Sequence, residues 1–87
     1  MKNLCRAIIW SSCFLELSDD DVIDPDAAVK ALEDIAAALQ EATDDEKTAF
    51  VIACREEADK LVGNPAYTKT AEFIRSLPVA VGILEEE

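Results

Sequence analysis

Histidine is absent from this chain of 87 residues. That removes the commonest general base and the usual companion of cysteine in a zinc site. Glycine occurs twice and proline three times, too few for the repeated tight turns of a β fold. Bases are scarce, with eight against nineteen acids, and the net charge is -11. That sign opposes a phosphate backbone, so nucleic acid is not an expected partner. Cys5, Cys13 and Cys54 are odd in number and form no Cys-x-x-Cys. They read as small apolar core residues in a reducing compartment. No cofactor and no metal site is expected. The apolar run ending at Phe14 is interrupted by Arg6, followed by Glu16, and lacks an Ala-x-Ala cleavage signal. It is also too short to cross a bilayer. The expectation is a soluble, cytoplasmic chain with no membrane partner.

What is present is apolar and regular. Hydrophobic residues make up 51% of the chain, too many for an acidic disordered segment. Residues 1–87 read as a single helical domain, though one of this size buries only roughly 60–65% of its unfolded surface.

Residues 3–17 read as a first helix, with Leu4, Ile8, Ser11 and Leu15 as its main stripe. Ile9, Cys13 and Leu17 fall on the other side, among Lys2, Arg6 and Glu16. A helix apolar on most sides is central in its bundle or covered by a partner. Asp24 and Pro25 read as N-cap and first residue of a second helix. Its stripe is Ala28, Leu32, Ile35, Leu39 and Ala42. Thr43 and Glu46 have the spacing of a capping box. The third helix then runs to about Val62, where Gly63 ends it in a left-handed cap. Asn64 and Pro65 open a fourth helix, expected over 65–76. Pro78 should break or kink the chain, and 79–84 should pack back as a short apolar segment. The acids Glu85–Glu87 read as a solvated end. The fold class is all-α, a four-helix bundle whose short links favour antiparallel neighbours, in an up-down arrangement or a close irregular variant of it.

Chemistry has little to work with. Asp20-Asp21-Val22-Ile23-Asp24 matches the Asp-Asp-x-x-Asp of prenyl-transferring enzymes, but it sits in a loop of a domain too small for their cavity. An EF-hand register starting at Asp19 puts Asp24 where glycine is required and Lys30 where glutamate is required. A small acidic carrier domain needs a serine preceded by aspartate, and Ser11, Ser12, Ser18 and Ser76 all lack one. An enzyme is not expected, and there are no candidate catalytic residues.

Protein binding remains. Residues 1–18 are net +1, and 19–26 hold Asp19, Asp20, Asp21, Asp24 and Asp26 without a base. Helix starts account for Asp24, Asp26, Asp44, Asp45 and Glu46. They do not account for Asp19, Asp20 and Asp21, or for Glu56, Glu57 and Asp59, read as exposed. Together with Asp24, those six are the candidate partner-binding residues, able to steer the chain onto a basic protein. The stretch Phe14-Leu15-Glu16-Leu17-Ser18-Asp19-Asp20-Asp21-Val22-Ile23-Asp24-Pro25-Asp26, on a small acidic helical chain, resembles bacterial immunity proteins of type VI-like effector–immunity pairs. The resemblance implies a non-enzymatic inhibitor that binds and neutralises a toxin, with some relatives forming dimers. The alternative is a dimeric structural or adaptor protein, whose second copy covers Ile9, Trp10, Cys13 or Ile52.

Overall fold

The computed structural model describes residues 1–85. Four α-helices follow in order: α1 (Lys2–Leu17), α2 (Pro25–Gln40), α3 (Asp44–Asp59) and α4 (Thr68–Ala80). Among the described residues there is no strand. The chain is an all-α four-helix bundle.

Two of the helix starts follow from local chemistry. The Asp24 carboxylate accepts from the Ala27 N–H at 3.0 Å, and Pro25 takes the first position of α2. Thr43 Oγ1 accepts from the Glu46 N–H at 3.1 Å, while Glu46 Oε1 accepts from the Thr43 N–H at 2.8 Å. Both halves of the capping box of α3 are therefore made. The last turn of α3 tightens after Asp59. Leu61 and Val62 bond three residues back, to Ala58 and Asp59, a 3₁₀ pattern that ends regular helix before Val62. Gly63 then takes φ +86°, as its left-handed role requires.

The fourth helix departs from expectation at both ends. Pro65–Tyr67 is a separate 3₁₀ turn, and α4 begins only at Thr68. It then runs through Pro78 to Ala80. Proline forfeits one N–H there, but the helix closes on a Schellman motif two residues on. Gly82 N–H donates to the Val79 carbonyl at 3.0 Å and Ile83 N–H to the Pro78 carbonyl at 3.1 Å, with Gly82 at φ +82°. Val81 is buried and Ile83 half-buried, so the segment does return to the body. Glu85 is exposed, while Glu86 and Glu87 lie outside the described residues.

Helix α1 is the hub: it packs on α2, α3 and α4, and α3 packs on α4. Its buried face is not the expected stripe. Cys5, Ile9, Ser12 and Cys13 are buried, Ile8 and Leu15 are half-buried, and Leu4 and Ser11 are exposed. Ile9 and Cys13 are therefore core residues that no second copy can cover. The reason is the charge that flanks them. Lys2 and Arg6 do not mark a solvent side; they reach across to Glu56 and Glu57 on α3. Ser12 is tolerated inside because its hydroxyl donates to the Ile8 carbonyl at 2.8 Å. Ala28 and Leu39, then Phe50, Cys54 and Ala58, then Ala71, Ile74 and Leu77 are buried, as their spacing predicts, whereas Tyr67, expected on the face of Ala71 and Ile74, is exposed in the 3₁₀ turn before α4.

Candidate protein-binding surface

The loop between α1 and α2 opens with a tight turn. Val22 and Ile23 N–H groups both donate to the Asp19 carbonyl, at 2.9 and 3.2 Å. Ile23 is half-buried and anchors the loop, while Asp19, Asp20, Asp21 and Val22 are exposed. Among the described residues no Lys or Arg pairs with the three aspartates. Asp24 is exposed as well, but its carboxylate is spent on capping α2.

The acids of α3 are arranged differently. Glu56 lies 3.8 Å from Lys2, and Asp59 accepts from Arg75 at 3.4 Å. Both remain exposed. Glu57, expected at the surface beside them, is only 3% exposed. Its Oε1 accepts from Arg6 Nε and from Trp10 Nε1, each at 3.1 Å, and its Oε2 accepts from Lys60 Nζ at 2.7 Å. The Lys60 hydrogen bond is the largest influence on its acidity. Helped by Trp10 and Arg6, it outweighs burial and holds the carboxyl at about 2, below its ordinary value. Glu57 is thus the polar rivet between α1 and α3 and is removed from any surface open to a partner. The sequence carried a signal for this. Glu57 lies seven residues after Phe50 and three after Cys54, on the apolar stripe itself.

Four of the eight bases are engaged with Glu56, Glu57 and Asp59. The charge of that patch is compensated from within, whereas that of Asp19–Asp21 is not. A second uncompensated group lies at the opposite end of the α1–α2 hairpin, where Glu41, Asp44, Asp45 and Glu46 are all exposed. An apolar groove of about 490 Å³ opens beside it, lined by Met1, Leu4, Ile8, Ile35, Leu39 and Phe50 with Glu41 and Glu46 at its rim.

Of the thiols, Cys5 lies against this groove, while Cys13 and Cys54 do not line it. Cys5, Cys13 and Cys54 are free and buried. Burial raises all three, Cys13 to about 11 and Cys54 to about 12, which leaves them as thiols at neutral pH. Trp10 and Ile52, by contrast, are partly exposed, at 38% and 48%. Among the described residues no three acidic or cysteine side chains converge to hold a metal ion, so Asp20, Asp21 and Asp24 do not form a cation cage. No helix of the described residues is long and apolar enough to cross a membrane. Comparison with protein-family models, with curated proteins and with solved structures found no match.

Proposed function

We propose that this chain is a non-enzymatic binding protein that docks a basic protein partner through Asp19, Asp20 and Asp21. Its action is that of an immunity protein occluding a toxin in the cytoplasm. The observation that supports this most is the contrast between the two acidic stretches. Glu56, Glu57 and Asp59 in the second half of α3 are matched by Lys2, Arg6, Lys60 and Arg75, whereas the loop presents three exposed carboxylates with no base against them. Unmatched charge on a short, turn-anchored loop costs self-repulsion in the free protein and is repaid on meeting positive charge. Glu57 has no place in this interface, and Asp24 contributes by holding the loop against the start of α2.

The test uses the product of a neighbouring toxin-like reading frame, mixed with this chain in stopped flow at several salt concentrations. Reversing Asp19, Asp20 and Asp21 together to lysine, with Asp24 left intact to cap α2, should slow association by at least tenfold and flatten its salt dependence. A triple variant that associates as fast as the parent at every salt concentration removes the loop from the interface. No binding between the two parent proteins removes the toxin pairing.

A further inference from the structure

The outward side of α1 has a property found nowhere else along the helices. Asn3, Leu4, Ala7, Trp10, Ser11, Phe14 and Leu17 are all exposed, and none is charged. At 100° per residue they form one continuous arc, with Lys2 and Glu16 on the far side and Arg6, turned towards Glu57, at its edge beside Leu17. Nearly a third of the chain is charged, so a bare helix face of this length is not a sampling accident of a polar surface. Leu4, Trp10, Phe14 and Leu17 are 65, 38, 54 and 41% exposed, which leaves roughly 400 Å² of apolar side chain in water.

We propose that this face of α1 is the contact between two copies of the chain, packed antiparallel about a two-fold axis near Ala7 and Ser11. Three observations select a second copy as the occupant. The first is charge: a basic protein finds no acid on this face, whereas a second copy finds no like charge, although each chain carries -11. The second is area. Two such faces together supply about 800 Å² of apolar surface, close to the apolar share of a standard interface of about 1,600 Å². The third is self-complementarity, which a two-fold contact requires. The 490 Å³ apolar groove opens at the N-terminal end of α1, on Leu4 and Ile8. Phe14, an aromatic ring 54% exposed, lies ten residues on from Leu4, about 15 Å along the axis. Antiparallel packing brings the Phe14 of each copy to the groove end of the other, and small Ala7 and Ser11 let the two backbones approach at the middle.

This contact is independent of the toxin reading and has the opposite response to salt. Docking of a basic partner weakens as salt screens attraction. Pairing of two acidic chains through an uncharged face strengthens as salt screens their repulsion. Sedimentation equilibrium of the full chain across the micromolar range should show the mass rising from one chain to two, with the midpoint moving several-fold lower in concentration between about 0.05 and 0.5 M NaCl. Leu4→Glu and Phe14→Glu, each at a side chain more than half exposed, should hold the mass at one chain with an unchanged circular dichroism spectrum. Ile52→Glu, equally apolar and exposed but set among the charges of α3, should dimerise like the parent. A parent that remains one chain near millimolar concentration in high salt overturns the proposal. So does a dimer that survives Phe14→Glu and Leu4→Glu, or one that Ile52→Glu alone abolishes.

Discussion

A carboxylate enclosed by an arginine, a lysine and an indole N–H is stable only while ionised. In the unfolded chain Glu57 titrates near its ordinary value of 4.5, and in the fold it titrates at about 2. Its folded value is depressed, so its contribution is complete above the unfolded value and is lost as pH falls from 4.5 towards 2. Arg6 and Lys60 are about half exposed, which screens the pairing and limits the effect to about 2 kcal/mol. Glu57→Gln should lower stability in urea by about that amount at pH 7 and by almost nothing near pH 2. Equal losses at both pH values would mean that packing, not charge, explains Glu57. Removing the charged α1 partner by Arg6→Gln should act in the same direction but less, because Lys60 and Trp10 remain.

At the scale of the element, the ends of the helices carry more of the design than their middles. Gly82 is needed twice over. Its φ of +82° closes α4, and a Cβ there would sit 2.8 Å from the side-chain nitrogen of Gln40. That same nitrogen donates to the Val81 carbonyl at 3.0 Å, tying the end of α2 to the end of α4. Gly82→Ala should cost about 1–2 kcal/mol from the left-handed backbone and the displaced clasp together. Gly63→Ala, with φ +86° but open space around the missing Cβ, should cost the backbone share alone. Chemical denaturation of the two variants side by side separates the terms, and equal losses would assign no energy to the Gln40 contact. These ends also show what the sequence could tell. Asp24-Pro25, Thr43 with Glu46, and Gly63 are local codes, readable because cap and capped group are within three residues of each other. The course of α4 through Pro78 was not readable, because it depends on where the following glycine closes the helix. Nor was the rotation of α1. Its apolar residues surround most of the helix, and only the reach of Lys2 and Arg6 to α3 decides which side faces inward. The same long-range pairing separates Glu57 from Glu56 and Asp59, which look alike in sequence. The exposure of Asp19–Asp21 was legible because nothing distant alters it.

For the molecule as a whole, the net charge of -11 is the sum of a compensated and an uncompensated part. The surface of α3 is knitted to α1 and α4 by its own ion pairs. The α1–α2 loop and the corner between α2 and α3 are left bare. Repulsion among the bare acids works against compactness. Raising NaCl from low concentration to about 0.5 M should therefore raise the melting temperature by several degrees, since 1 kcal/mol moves a domain of this size by about 4–8 °C. The measurement belongs on dilute protein or on Phe14→Glu, so that self-association does not add to the shift. A melting temperature that falls with salt would assign net stability to the ion pairs of α3 over the repulsion of the loops. The molecule thus carries its charge in two states, with paired acids tying the helices together and unpaired ones facing solvent.

Trp10 is the only tryptophan, and it spans two of these regions at once. Its indole N–H ends on the Glu57 carboxylate, while part of the ring lies in water on the uncharged side of α1. The protein therefore carries its own optical reporter. Protonating Glu57 alters the electric field at one end of the ring, and covering α1 dries the other. The emission maximum answers to pH through the inner seam and to protein concentration through the outer face, so a single spectrum taken along each axis reads the two events separately without a label.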